Sequence, residues 1–258
     1  MQTVVILGAK PGARLPAGDA IYAANAAVMG HESDAAAFVE RVTVASALVL
    51  ARGLVTGSAH DTLYSSKLQT VSNSGFGRLV LFSDPGSRDL TKAALAYLDG
   101  SHSEGTTVWS VLERRALVAY IGQCGYPVID RTLWSQPLPV VIRDLSEIAK
   151  LRLGWLMGDT NNDCRAKYRP STGILALLVA IAERGTTARY VISGIGFEDR
   201  NKFLIDGKIL CNKSNGDRML PKHVQADIIL LRALSRRYRI ETTEAELLPL
   251  LPPFEDAP

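Results

Sequence analysis

The sequence predicts a single Rossmann-like α/β domain, with a mostly parallel sheet and helices on both faces. Short apolar runs that end in glycine or polar residues alternate with helical patterns, which is typical of a parallel sheet. A length of 258 residues fits one large domain, here the whole of 1–258. The chain is 47% hydrophobic and 21% charged, as expected of a globular protein with a real core.

Four apolar runs in the first third of the chain predict strands. They are Val4–Leu7, Asp19–Asn25, Val44–Leu50 and Leu79–Phe82. The first is followed by the turn sequence Gly8–Gly12, which has neither the Walker nor the dinucleotide spacing of glycines. Because ligands bind at the carboxyl ends of parallel strands, this turn is the first place to look for a ligand.

The middle of the chain has weaker patterns. Leu90–Leu98 and Thr107–Ile121 have helical spacing, and Val140–Ile142 is a short β-branched stretch typical of a strand. The cluster Asp159–Asp163 lacks the spaced oxygen ligands of a calcium loop, so we interpret it as a turn.

The clearest unit is a helix followed by a strand. A helical run over Ile174–Glu183 stops at Gly185, a natural helix terminator. The run Arg189–Ser193 then predicts a strand that ends at Gly194. This order of elements places a second turn, like the first one, at the carboxyl end of a strand.

The start of that helix has two interpretations. Ser171 and Thr172 either cap the helix or, together with its free N–H groups and Gly173, hold a phosphate. Arg169 lies just upstream and would add a positive charge. Both interpretations stay open at this point.

The last part of the chain contains a long polar segment. Residues 198–222 are too many for an ordinary connection and predict an inserted lid. Val224–Tyr238 then predicts a helix and Arg239–Thr242 a strand. The proline-rich end, 249–258, is expected to be a disordered tail.

Cysteine usage and hydropathy bear on the compartment. The three cysteines are isolated and form no CxxC pair, which favours a reducing compartment over a zinc site or a disulfide framework. No signal-peptide pattern is present, and no apolar run approaches the length that spans a bilayer. We therefore expect a cytoplasmic protein.

The charge balance constrains the partners. A formal net charge of +3 suits acidic ligands but is far from the dense basic surface of a nucleic-acid binder. Arg232, Arg236, Arg237 and Arg239 form either a solvated face or a surface for anionic lipid. Peripheral contact with the inner face of a membrane therefore stays open, as does a homo-oligomer.

His223 is the candidate general base. Its position at the end of the predicted lid and before a helix suits a proton acceptor whose pKa lies near neutrality. The alternative is a structural or surface histidine. The sequence has no metal-ligand spacing and no DxD carboxylate pair, so we expect no metal and no cofactor, and protein groups must neutralise any leaving phosphate.

Four motifs, taken in order, resemble those of a known family. They are Val4–Gly12, Ile21–Asn25, Arg169–Gly173 together with Val191–Phe197, and Lys222-His223 followed by Ala226–Ile228. Together they resemble the small bacterial sialyltransferases that use CMP-sialic acid and, more distantly, other CMP-sugar transferases. The resemblance covers roughly 1–60 and 165–245 and does not extend to the region between.

The resemblance implies a GT-A-like variant of the α/β fold with a small lid, an inverting reaction and no metal. His223 would take the proton of the acceptor hydroxyl, and Arg169 would support the charged part of the site. The residues that would bind the CMP donor are Gly8, Ala9, Lys10, Asn25, Ser171, Thr172, Gly173 and Gly194. The acceptor would be a glycan or a lipid-linked glycan.

Three departures from the family concern the donor. Ala9 replaces an Asn that contacts the nucleotide, and Glu198 replaces a Tyr that assists the leaving phosphate. The lid offers lysines in place of tyrosines, and we expect one of them, foremost Lys202, to contact the phosphate or carboxylate; the others are Lys208, Lys213 and Lys222. These changes make CMP-Kdo a rival to CMP-sialic acid. A nucleotide-binding module without transferase activity is the alternative from another class.

Overall fold

Seven parallel strands form the central sheet of the protein in a computed structural model. The structure describes residues 1–10, 12–29, 31–47, 77–83, 88–98, 105–123, 134, 138–139, 141–142, 145–146, 149, 153, 170–196, 202–205, 208–211 and 222–255. In chain order, the strands of this sheet and of a separate two-stranded hairpin are β1 (Thr3–Leu7), β2 (Ala20–Ala24), β3 (Glu40–Ser46), β4 (Arg78–Phe82), β5 (Thr106–Trp109), β6 (Arg189–Ser193), β7 (Lys202–Ile205), β8 (Lys208–Cys211) and β9 (Arg239–Thr242). Strands β7 and β8 form a separate antiparallel hairpin within the expected lid segment.

The strand order of the sheet is β5-β4-β3-β2-β1-β6-β9. The chain thus builds outwards from β1 to β5 and then returns to the other side of β1 with β6 and β9. This reversal places a topological switch point between β1 and β6, and in open parallel sheets ligands bind in the crevice at the carboxyl end of such a point. The predicted Rossmann-like α/β fold is confirmed.

Helices cover both faces of the sheet. In chain order they are α1 (Glu32–Ala35), α2 (Arg88–Leu98), α3 (Val111–Ala116), which continues as a π-helical turn (Leu117–Ile121), α4 (Thr172–Arg184) and α5 (Lys222–Leu234), followed by a short 3₁₀ turn (Ala245–Leu247). One face packs against α4, α5 and the π-helical turn, and the other packs against the α1 region and α2. Alternate strand residues therefore point into opposite cores.

Helix α4 is the central helix of one face. Nine consecutive residues, 173–181, are buried, which explains why the sequence there is apolar on all sides. The helix ends at Gly185, whose φ of 67° is left-handed. Glu183, in its last turn, accepts hydrogen bonds from Tyr22 Oη (2.5 Å) and Arg78 Nη2 (2.7 Å) at the amino edge of the sheet. Burial and the nearby Glu183 carboxylate raise the pKa of the Tyr22 hydroxyl above its ordinary range.

Two predicted elements are wrong. Thr106–Trp109 is strand β5 rather than the start of a helix, because Thr and Val side chains suit the edge beside β4 and the helix begins only after the Ser110 cap. Val141 and Ile142 are helical, not extended, since β-branching alone does not decide between the two. In addition, β3 begins at Glu40 instead of Val44, and residues 48–50 lie outside the described part of the chain.

The expected disordered tail is docked over its described length, 249–255. Leu251 is buried, and Phe254 N–H donates to the carbonyl of Thr242 (2.8 Å). The guanidinium of Arg189 lies 4.5 Å from the centre of the Phe254 ring. These apolar and cation–π contacts hold the segment against β9 despite its prolines. Among the described residues, no helix has the length and apolar character needed to cross a membrane.

Candidate nucleotide site at the carboxyl edge of the sheet

The backbones of two glycines meet at the switch point. Gly8 follows β1 and Gly194 follows β6, and the N–H of Gly8 donates to the carbonyl of Ser193 (2.8 Å) while that of Lys10 donates to the carbonyl of Gly194 (3.0 Å). A Cβ atom on Gly8 would overlap the carbonyl oxygen of Gly194, and the reverse is also true. Gly194 also has a positive φ of 69°, which residues other than glycine rarely adopt. Only glycine fits these two positions, so the floor of the crevice is bare backbone.

The start of α4 lies at the same place. A Cβ atom on Gly173 would come within 2.6 Å of Ile195 Cδ1, two residues beyond the end of β6. Ser171 is the N-cap of the helix, and its Oγ accepts the N–H of Ile174 (3.4 Å). Ser171 therefore caps the helix, and binding of a phosphate at the same helix start stays a prediction. By helix geometry the N–H groups of Thr172 and Gly173 have no acceptor within the helix and mark its positive end.

A buried carboxylate fastens α5 to the start of α4. The Oδ1 of Asp227 accepts the N–H of Ser171 (2.8 Å), and Asp227 is fully buried. His223 stands four residues earlier, in the first turn of α5, because the helix begins at Lys222 rather than at Val224 as expected. One helical turn therefore separates His223 from the residue bonded to the α4 start. The side chain of His223 lies outside the described part.

Lys10 pairs with two carboxylates after β9. Its Nζ lies 2.8 Å from Glu244 Oε2 and 2.6 Å from Glu246 Oε1. The other oxygen of Glu244 accepts the N–H of Gly194 (2.7 Å). Burial lowers the pKa of Lys10, but the hydrogen bonds and charges of Glu244 and Glu246 outweigh burial and raise it. Lys10, expected to contact the donor, instead ties the segment after β9 to the crevice.

Asn25 and Ala9 are the other two predicted donor-binding residues that the structure describes at the carboxyl edge of the sheet. Asn25 follows β2 with a left-handed φ of 55°, which Asn tolerates better than most residues, and its N–H donates to the carbonyl of Val44 (2.7 Å). The side chain of Ala9 packs against the core cluster that contains Val5 and Leu7. Asn25 therefore offers a side-chain amide at the edge, whereas Ala9 offers only backbone.

Other predicted residues lie outside the described part. Arg169 is one, and Lys202 and Lys208 begin β7 and β8 with their side chains outside it. Lys213 and the cluster Asp159–Asp163 are also outside. Within the ranges that the structure describes, no three His, Cys, Asp or Glu residues stand close enough together to hold a metal ion.

Three acidic residues at this edge were not predicted from the sequence: Asp227, Glu244 and Glu246. The pair Glu244 and Glu246 directly follows a predicted strand, which is the one signal available. That signal becomes informative only once the strand order is known, because β9 lies beside β6 and so ends at the same edge, one strand away from the switch point.

No protein-family model, no curated protein and no solved structure matches the chain.

Proposed function

We propose that the chain is a metal-independent, inverting glycosyltransferase that moves an acidic sugar from its CMP donor to a hydroxyl of a glycan or lipid-linked glycan. The observation that carries the proposal is the hydrogen bond between Asp227 and the N–H of Ser171. It joins an anion-favouring helix start to α5, one helical turn from His223, at the carboxyl edge of a parallel sheet. The donor sugar is sialic acid or a related 3-deoxy sugar such as Kdo.

The phosphate of CMP binds, on this proposal, at the start of α4. The N–H groups of Thr172 and Gly173 and the positive end of the helix favour an anion there. The opposite wall of the crevice is unsuitable, because Lys10 is already paired and the second carboxylate leaves an excess of negative charge. Glu244 and Glu246 suit sugar hydroxyls, which donate hydrogen bonds, better than a phosphate.

The chemical step needs one proton acceptor. The acceptor oxygen forms a bond to the anomeric carbon on the face opposite the phosphate, and the bond from that carbon to the phosphate oxygen breaks with its electron pair leaving on CMP. His223 takes the acceptor proton as a general base. The α4 start stabilises the charge that develops on the leaving phosphate.

Two further parts belong to the proposal. The segment 198–222, which includes the β7–β8 hairpin, closes over the bound donor and excludes water that would hydrolyse it. Arg169 and a lid lysine, foremost Lys202, supply positive charge to the phosphate or the sugar carboxylate. The reaction takes place in the cytoplasm, in keeping with the isolated cysteines.

The alternative is a nucleotide-binding module without transferase activity. The paired state of Lys10 favours it, because this basic side chain at the crevice is not available to a donor. This alternative predicts CMP binding without turnover.

Donor profiling tests the proposal. The chain is incubated with CMP-sialic acid, CMP-Kdo or a UDP-sugar, with and without a mixture of glycan acceptors, and CMP or UDP release is measured. We expect release from one CMP donor and transfer to acceptor. Thermal shift with CMP, UDP, NAD and S-adenosylmethionine accompanies it, since a ligand that binds only the folded state raises its stability. Binding of CMP without turnover supports the module, and a preference for UDP or NAD contradicts both readings.

A further inference from the structure

The far end of α5 carries a strongly basic surface. Arg232, Arg236, Arg237 and Arg239 are all exposed, and the sequence has no acidic residue between Asp227 and Glu241. Ile229, one turn before Arg232, is 42% exposed. Within α5, Ile229 and Arg232 lie on the same side of the helix, and Arg236 stands in the turn that follows the end of the helix at Leu234.

The four arginines differ in their partners. Arg239 donates to Glu241 Oε1 (2.8 Å), and Arg237 donates to the carbonyl of Ile121 (2.9 Å). Arg232 and Arg236 are exposed and have no carboxylate partner within the part of the chain that the structure describes.

Exposed apolar side chains adjoin these charges. The bond from Arg237 to Ile121 brings the end of α5 to the end of the π-helical turn, whose Tyr120 is 48% exposed. Gly122, which follows, packs against Leu230, the neighbour of the exposed Ile229. Arginine beside an exposed aromatic ring and an aliphatic side chain is the composition of surfaces that sit at a bilayer interface.

We propose that three arginines of this basic surface, Arg232, Arg236 and Arg237, together with the apolar side chains of Tyr120 and Ile229, bind the anionic headgroups of a membrane. The charge of this surface complements phosphate headgroups, and Ile229 and Tyr120 offer apolar contacts that a water-soluble polyanion would not use. The surface is independent of the candidate nucleotide site and of the function proposed for it.

The geometry of α5 fixes how the protein would sit. The helix starts beside α4 at the carboxyl edge of the sheet and ends near Arg239, where β9 begins at the amino edge. Thirteen helical residues span about 20 Å. Docking through the far end of α5 therefore turns the crevice at the switch point away from the headgroups and leaves it open to a donor from solution.

Vesicle sedimentation tests the proposal. The full chain is mixed with vesicles of phosphatidylcholine containing phosphatidylglycerol, or of phosphatidylcholine alone, over a series of salt concentrations. We expect binding to the anionic vesicles only, weakening as salt screens the charges. The R232Q/R236Q variant should bind about 30-fold less tightly, since each arginine near an anionic surface contributes about a factor of five.

Matched variants keep the result interpretable. R232K/R236K retains the charge and should bind like wild type, and K92Q removes one charge from the exposed Lys92 of α2 and should also bind like wild type. I229S/Y120S should weaken the binding that remains at high salt. Circular dichroism and thermal unfolding check that each variant is folded.

Three outcomes would overturn the proposal. One is no preference of the wild type for anionic vesicles, and a second is unchanged binding of a folded R232Q/R236Q. The third is equally tight binding of a soluble polyanion such as heparin together with no effect of I229S/Y120S, which would assign the surface to a polyanion in solution. None of these readouts uses transfer activity.

Discussion

Asp227 shows how one side chain positions a candidate site. Its carboxylate is fully buried and accepts the N–H of Ser171 next to the positive end of α4, which offsets part of the cost of burying it. Removing the carboxylate would leave that N–H without its acceptor and would remove a contact between α5 and α4. The residue therefore supports both the fold and the placement of His223.

We expect Asp227→Ala to lower the free energy of unfolding by about 1–3 kcal/mol, because a buried donor loses its partner. Asp227→Asn keeps an acceptor oxygen and should lose less. Urea denaturation measures both, with Asp34→Asn at an exposed position of α1 as a control expected within about 0.5 kcal/mol of wild type. Equal effects of Asp227→Ala and the control would show that the hydrogen bond does not hold the helices together.

His223→Gln should reduce transfer about 10²–10⁴-fold while CMP affinity stays the same, because a general base acts on the acceptor rather than on the donor. The measurement is product formation at saturating donor, together with CMP titration by calorimetry. His31→Gln, at the start of α1, is the matched control and should retain full activity. Loss of CMP affinity in parallel with activity would assign His223 to binding instead of proton transfer.

Lys10 makes a pH-dependent contribution to stability. Its pKa is raised in the folded protein above the ordinary value of 10.5, so the contribution is fully present below that value and is lost as pH rises through the folded pKa. We expect Lys10→Met to be less stable than wild type at neutral pH, with the difference shrinking above about pH 10.5. Chemical denaturation at several pH values checks this, and a difference that stays constant to high pH would contradict it.

At the scale of elements, the contact between the ends of β1 and β6 decides the shape of the crevice. Gly185 offers an unusually close comparison for Gly194, since their φ values are 67° and 69°. A Cβ atom on Gly185 meets nothing within 4 Å, whereas one on Gly194 meets the backbone of Gly8. The two positions share a positive φ, and Gly194 has in addition the close approach of a second backbone.

Gly185→Ala should therefore cost about 1–3 kcal/mol, the penalty of a side chain at a sparsely populated positive φ. Gly194→Ala should cost several kcal/mol more in unfolding free energy, since β1 and β6 must move apart. Denaturant titration of both variants gives the difference, and CMP binding is expected to fail only for Gly194→Ala. Similar costs at the two sites would mean that the close approach of the backbones is easily relieved.

The elements that the sequence predicts correctly are those with strong local signals. Helix α4 has a serine cap, an apolar run and a terminating glycine, and β1 and β6 are apolar runs closed by glycine. Strand β5 was missed because Thr106–Trp109 is exposed at the edge of the sheet and has no apolar run of its own. Its extended form depends on pairing with β4, a tertiary contact that local patterns do not contain.

At the scale of the whole molecule, the strand order explains what was predictable about the site. One edge of the sheet holds Gly8, Asn25 and Gly194, which follow strands, and Gly173, which lies at the start of a helix. The parallel fold class already implies this, because strands end and connecting helices begin at the same edge or return to it. Glu244 and Glu246 join them only because β9 is placed beside β6. The ion pairs of Lys10 with these carboxylates follow from that placement, so they could not be predicted from the sequence.

The central place of β1 also has a consequence for synthesis of the protein. Thr3 pairs with Arg189, so one side of the first strand stays open until β6 has been made. At ordinary elongation rates of about 5–20 residues per second, the ribosome takes roughly 10–40 s to go from β1 to β6. During that time the nascent chain carries an unpaired apolar edge, Val4 to Leu7, which is the kind of segment that chaperones shield.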